Sequence, residues 1–309
     1  MQHKIGLMDS GVGGTGVLAL ACRRLRGYHF IYLGDQAATP YGEKTEQEIT
    51  AHAHACVQTL VDRGCETVVL ACNTATACAV DALRARFAIP IIGMEPAIKP
   101  ARQLAGNLPV LVLATPATFR LPRYKRLTEQ VGGQFVSVPC PELVRMVEHG
   151  ENAQAIQAHL ARHVPQVLRE NLEQAHTASQ APQAKQARLA NDATQAEQAY
   201  LTSQALQAVP SETAYGSCDM EQPNLDPADM GAIVLGCTHF IYAKPAMAAL
   251  WPGVPLVDGH EGAVNQLARV LTERGLAGQG ENYITFESTG TPRELAALKR
   301  MFADMEVMV

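Results

Sequence analysis

Short runs rich in valine, isoleucine and leucine recur along this chain, separated by longer stretches in which apolar residues return every three or four positions. The runs read as strands are Ile5–Met8, Phe30–Leu33, Thr67–Ala71, Ile89–Gly93, Pro109–Ala114, Gln134–Val138, Ala232–Gly236, Pro255–Val257 and Tyr283–Phe286. Most are continuously apolar rather than alternating, as expected of strands covered on both faces. Segments such as Thr45–Arg63 and Ala263–Arg274 carry the helical period between them. This alternation predicts an α/β fold built from βα units, with mainly parallel sheets flanked by helices.

One region departs from the pattern. Residues 151–172 read as an amphipathic helix, with Ile156, Leu160, Val164, Val167 and Leu168 on one face. From about 173 to 229 the chain turns rich in alanine, glutamine, serine and threonine and offers few large apolar side chains to bury. This stretch is expected to be an insertion of loosely packed helix or linker, because so long a connection is unusual inside a compact domain.

At 309 residues the chain is long enough for two lobes, and 47% hydrophobic residues suffice for a sizeable core. A net charge of −5 argues against a nucleic-acid partner, which favours a basic surface. No apolar run reaches the roughly 18 residues of a membrane span, and the first residues enter a strand without a secretory leader. The eight cysteines form no CxxC pair and are expected to be reduced thiols of a cytoplasmic protein.

Two segments resemble each other. Val68–Thr74, VVLACNT, and Ile233–His239, IVLGCTH, each run from an apolar strand through a small residue to a cysteine and two polar residues. A helical pattern follows each, over Ala75–Phe87 and Tyr242–Trp251. The cysteines Cys72 and Cys237 lie 165 residues apart, too far for a local metal motif. The simplest account is two similar lobes, each ending a parallel strand in a cysteine where open α/β sheets bind ligands. A thiol has a pKa of about 8.5, and a position at a helix N-terminus favours its thiolate. The amides beside it can hold a carboxylate. Two such thiols across a small amino acid form a two-base device that removes an α-proton from one face and returns one to the other.

Other readings stay open on these residues alone. Gly11–Gly16 fits GxGxxG, and the next strand ends at Asp35, the layout of an NAD(P)-dependent oxidoreductase. Against it, Asp9 and Ser10 would set an anionic side chain before the phosphates. An amino-acid sensor without turnover would share the architecture but gains nothing from matched thiols. A metal site of Cys72, Cys237 and His239 lacks familiar ligand spacing.

Several motifs, in order, resemble glutamate racemase, within the aspartate/glutamate racemase superfamily: DSGVGG at Asp9–Gly14, PYG at Pro40–Gly42, ACNTAT at Ala71–Thr76, EPAIKPA at Glu95–Ala101, ATPAT at Ala114–Thr118 and GCTHF at Gly236–Phe240. The likeness covers nearly all of the chain except the Ala/Gln-rich insertion. It implies two pseudo-twofold lobes with the site in the cleft between them, and neither metal nor cofactor. The first lobe is expected at 1–97 plus 258–309, carrying Cys72, and the second at 98–257, carrying Cys237. The resemblance further implies that Cys72 and Cys237 are the acid/base pair, tuned by Asp9, His239 and Glu148. Ser10, Pro40, Tyr41, Gly42, Asn73, Thr74, Thr115, Thr118 and Thr238 would line a glutamate pocket. Histidine after GCT points to glutamate, where the aspartate racemases that form the alternative carry glutamate. The expected product is D-glutamate for the bacterial cell wall, and the expected assembly a homodimer without membrane or nucleic acid. Two positions depart from the family pattern: Ile241 replaces a usual proline, and Leu121 a typical serine.

Among the remaining candidates, His52, His54, His159 and His163 read as surface or packing residues. Cys22, Cys56, Cys65 and Cys78 read as packing, and Cys140 as a minor pocket candidate.

Overall fold

The computed structural model describes residues 2–171 and 227–308. The Ala/Gln-rich stretch therefore lies outside the described residues, save for its last turn at Pro227–Asp229. The described residues fall into two compact units. One spans 2–161 and 227–308 and carries both sheets; of the other, only 162–171 is described.

Nine strands form in chain order: β1 (Lys4–Asp9), β2 (His29–Gly34), β3 (Thr67–Leu70), β4 (Ile91–Gly93), β5 (Val110–Ala114), β6 (Phe135–Pro139), β7 (Ala232–Leu235), β8 (Leu256–Asp258) and β9 (Tyr283–Ser288). Eleven α-helices accompany them among the described residues: α1 (Thr15–Arg24), α2 (Glu46–Asp62), α3 (Asn73–Arg86), α4 (Ile98–Ala105), α5 (Pro116–Arg120), α6 (Pro122–Val131), α7 (Pro141–Glu148), α8 (153–171), α9 (Lys244–Leu250), α10 (His260–Glu273) and α11 (Pro292–Met308). The expected strands all form, with ends shifted by a residue or two. The helical pattern after Cys237 starts earlier than expected, as a 3-10 turn over Thr238–Ala243 that leads into α9.

The strands build two wholly parallel sheets, in the orders β4-β3-β1-β2-β9 and β6-β5-β7-β8. The expected two-lobed α/β fold is present, and its internal repeat is visible in the topology. Strands one to four lie in the order 4-3-1-2, and strands five to eight in the order 8-7-5-6. The repeat extends to single hydrogen bonds. Ala71 N–H donates to Met8 O and Gly236 N–H to Leu113 O, both at 2.7 Å, each fixing the residue before a cysteine. Asp35 N–H donates to Asp9 O at 2.9 Å, and Cys140 N–H to Ala114 O at 2.8 Å. Cys72 and Cys237 thus occupy equivalent strand ends, as do Asp35 and Cys140.

Apolar side chains hold these ends in place. On one face of the first sheet, Ile49, Ala53, Val57 and Leu60 of α2 and Ala79, Val80 and Leu83 of α3 pack on Met8, Ile31, Val68 and Leu70. Cys56 and Cys65 belong to that cluster, and Cys22 is likewise buried, so packing accounts for all three. In the second lobe, Ile98, Ala101 and Ala105 of α4 pack on Val110, Val112, Ala232 and Val234. α2 starts in a capping box, with Glu48 N–H donating to Thr45 Oγ1 at 3.3 Å and Thr45 N–H to Glu48 Oε2 at 2.8 Å.

Leu60 is wholly buried between α2 and β1. Replacing it by alanine is expected to cost about 2–5 kcal/mol, read as a lower denaturation midpoint in thermal or urea unfolding followed by circular dichroism.

Candidate active site

The two cysteines stand in the same backbone conformation, φ −142° and ψ 119° at Cys72 against φ −141° and ψ 140° at Cys237. Each lies just beyond a strand, in extended conformation, at the N-cap position of the helical turn after it, and only Cys72 caps that turn with its side chain. Cys72 Sγ accepts the Ala75 N–H at 3.4 Å and lies 3.7 Å from Ser10 Oγ. Cys237 Sγ lies 3.6 Å from His239 Nδ1, whose other ring nitrogen, Nε2, is 2.5 Å from Glu148 Oε1. That carboxylate also accepts the Val12 N–H at 3.0 Å. Asp9 takes the Gly11 N–H on one oxygen at 2.8 Å and the Thr238 hydroxyl on the other at 3.1 Å. The loop after β1 and the loop after β7 therefore interlock across the two lobes, and both cysteines sit in the buried seam, 4% and 8% exposed.

Charge in this seam is set by burial and by short contacts. Burial would lower the pKa of His239, but its bonds to Cys237 and Glu148 outweigh that and hold the imidazole well above its ordinary value. Burial would raise the Glu148 carboxyl, yet the His239 and Val12 contacts hold it below the usual carboxylate range. An imidazolium between the Cys237 sulfur and a carboxylate is the resulting state. Cys72 behaves differently from the sequence expectation. The helix amide at Ala75 and the Ser10 hydroxyl do favour its thiolate, but burial, reinforced by negative charge on Asp9 and Cys237, pushes the thiol up. Burial likewise raises Asp9. One sulfur is thus kept as a thiol while the other faces a cation, an unlike pair suited to passing one proton.

The glycine-rich loop is not open toward a pyrophosphate. A Cβ on Gly11 would fall 1.9 Å from Glu148 Oε1, and one on Gly13 would fall 2.6 Å from His239 Nδ1. Its glycines are required by the close approach of these side chains and of the loop after β7. That packing corrects the dinucleotide reading. Among the described residues no group of three or more His, Cys, Asp or Glu side chains could hold a metal.

The remaining expected pocket residues converge on α3 and on the loop after β5. Thr74, Thr115 and Thr118 form a buried hydroxyl ladder, with Oγ1 atoms 3.2 and 3.1 Å apart. Both polar atoms of the Asn73 side chain are buried at the first turn of α3 without a partner, donor and acceptor free for a zwitterion. Pro40, Tyr41 and Gly42 lie in the turn after β2, where a Cβ on Gly42 would fall 3.0 Å from Thr115 Cβ. Ser10 contacts Cys72, and Thr238 contacts Asp9, as described above. Cys140 is fully buried at the end of β6, its thiol donating to Val138 O at 3.4 Å. Leu121 and Ile241, the two departures, are both buried, at the start of α6 and in the turn after Cys237.

Sequence reasoning missed Tyr32. Its buried hydroxyl donates to Gly11 O at 2.9 Å and steadies the loop beside Asp9. A tyrosine inside the otherwise apolar run FIYLG was the available signal. His52, read as surface or packing, lies 3.4 Å from Asp35 Oδ2.

Comparison with known proteins places this geometry among relatives. The Asp/Glu/Hydantoin racemase family matches over residues 5–177. A glutamate racemase of Campylobacter curvus is 33% identical, covering 99% of this chain and 98% of its own. One of Halothermothrix orenii is 32% identical, covering 94% of each. Among solved structures, the Thermus thermophilus glutamate racemase in complex with beta-chloro-D-alanine superposes with a TM-score of 0.65 at 27% identity, covering 97% of this chain and 93% of that one. The Escherichia coli enzyme, in complex with L-glutamate and the activator UDP-MurNAc-ala, gives a TM-score of 0.65 at 26% identity, covering 97% of this chain and 96% of that one.

Two outcomes follow from the seam. The His239–Glu148 pair raises the histidine above 6.5 and lowers the carboxylate below 4.5. Its stabilisation is complete between those values, lost toward alkali as His239 deprotonates and toward acid as Glu148 protonates. Glu148→Gln is therefore expected to lower the thermal midpoint most between pH 4.5 and 6.5, with the difference shrinking on both sides. An added methyl in Gly13→Ala meets His239 and Thr238 and is expected to destabilise by about 1–3 kcal/mol, measured by chemical denaturation.

Proposed function

This chain belongs to the Asp/Glu/Hydantoin racemase family, and we propose that it interconverts L- and D-glutamate by passing the α-proton between Cys237 and Cys72, with no added cofactor. The observation that carries this reading is the matched placement of two cysteines at equivalent strand ends, both at the N-cap position of a helical turn and both buried in one seam.

In the direction from L-glutamate, the Cys237 sulfur takes the α-proton, and the electrons of the C–H bond pass to the α-carbon and its carboxylate. This reading assigns the stabilisation of that growing negative charge to the positive end of α3 and to the Asn73 amide, which is buried without a partner. Cys72, held as a thiol by burial, delivers its proton to the opposite face. The thiolate left behind is met by the Ala75 N–H and the Ser10 hydroxyl. The reverse reaction exchanges the two roles. His239 orients and balances the Cys237 sulfur, Glu148 holds the imidazolium, and Asp9 sets the charge beside Cys72. Ser10, Pro40, Tyr41, Gly42, Thr74, Thr115, Thr118 and Thr238 form the walls around glutamate.

The same reading gives lobes of 1–97 plus 258–309 and of 98–257, with the substrate between them. It also makes the chain a cytoplasmic homodimer that supplies D-glutamate for peptidoglycan. The full-length likeness to glutamate racemases supports this role, and no helix among the described residues is long and apolar enough to cross a membrane.

Incubation of the protein with L-glutamate in heavy water, without cofactor, is expected to incorporate α-deuterium as optical rotation is lost. D- and L-aspartate, run in parallel, should turn over far more slowly. Cys72→Ala and Cys237→Ala are each expected to lower kcat/KM by about a thousandfold or more while the circular dichroism spectrum is kept. Near-normal turnover by either variant would refute the two-thiol assignment.

A further inference from the structure

Asp35, which in the dinucleotide reading would hold a ribose, is buried at the carboxyl end of β2 with 4% exposure. Its backbone N–H is tied to Asp9 O at 2.9 Å, so it shares the strand-end layer of the active site. One carboxylate oxygen, Oδ2, accepts the Tyr41 hydroxyl at 2.6 Å and faces His52 Nδ1 at 3.4 Å. The other, Oδ1, accepts the Thr289 hydroxyl at 2.7 Å, beyond the end of β9. A buried carboxylate satisfied largely by neutral donors is costly to maintain, and such a group persists where its geometry is needed. Tyr41 is itself buried, six residues on, so this one bond closes the turn after β2 upon its own starting point. The next residue, Gly42, presses against Thr115 of the opposite lobe. Thr115 in turn is the centre of the hydroxyl ladder with Thr74 and Thr118.

We propose that Asp35 is a positioning residue for the racemase reaction: its carboxylate fixes the Tyr41 hydroxyl and so seats the Tyr41–Gly42 turn against Thr115, setting the width of the glutamate pocket. The inference rests on the racemase reading of the site. The side-chain partners of Asp35 are Tyr41, Thr289 and His52, none of them a catalytic sulfur. It acts through Tyr41, and its loss widens the pocket rather than removing a proton carrier. Burial and the Asp35 contact also raise Tyr41 above its ordinary value, which favours the phenol as the donor in this bond.

The test is a double-mutant cycle on steady-state racemisation, with folding followed by circular dichroism. Asp35→Asn is expected to raise KM for both glutamate enantiomers roughly tenfold while kcat stays within about threefold. Tyr41→Phe should reproduce that split, and the double variant should be no worse than either single one. If Asp35→Asn fails to fold, the KM of Tyr41→Phe decides alone. Unchanged KM in the folded single variants, effects that multiply in the double variant, or a loss confined to kcat would each overturn the positioning role, with the wild-type protein still racemising glutamate. A wild-type protein that neither racemises nor binds glutamate in calorimetry would overturn the racemase reading, and this inference with it.

Discussion

A sulfur removes a proton well only as a thiolate, and the exclusion of water that protects a carbanion also penalises that thiolate. The seam between the two lobes is organised around this opposition. Cys237 sits against an imidazolium whose own charge is sustained by a carboxylate, whereas Cys72 has a single helix amide and a hydroxyl to set against burial and two neighbouring negative charges. The proposed two-base transfer needs one sulfur able to take a proton while the other holds one to give, and the unlike surroundings of the two cysteines fit that singly protonated pair. In the proposed reaction, His239, Glu148 and Asp9 keep the two ends unlike while the backbone keeps them geometrically alike.

That likeness arises from a repeated topology. Four strands in one order, followed by four in the same order, bring equivalent residues to the seam: a cysteine after the third strand of each, a short polar segment after the first. The repeat is not carried through in chemistry. Where the first half ends its second strand in Asp35, the second half has the buried thiol Cys140. Where the first half sends a regular helix from its cysteine, the second sends a 3-10 turn that brings His239 back toward Cys237.

Much of this was legible in the sequence. Apolar runs, most of them continuous, marked every strand, and the twin strand–cysteine–polar segments marked both ends of the candidate site. Three things were not legible, each because it depends on contacts between distant residues. The ionisation of Cys72 is decided by burial and by Asp9, and local position at a helix start pointed the other way. The glycine loop has the spacing of a phosphate cradle, and only the arrival of Glu148 and His239 from the other lobe shows what its bare backbone accommodates. Asp35 stood at the spacing of a ribose ligand, while its partners Tyr41 and Thr289 come from a following turn and from the far end of the chain. Helix ends near Cys237 and His260 were displaced for a simpler reason, that hydrophobic periodicity begins only after the first turn.

The use of cysteine as a helix cap has an evolutionary corollary. Among capping side chains, hydroxyl and carboxylate groups outperform most others. Serine differs from cysteine by one atom and would suit the local backbone at Cys72 at least as well. On the proposed mechanism, drift toward a sturdier molecule at Cys72 has a short path that ends in an inert one, and purifying selection for turnover closes it. In any descendant of this chain released from the proposed reaction, Cys72 is where decay should first leave a mark.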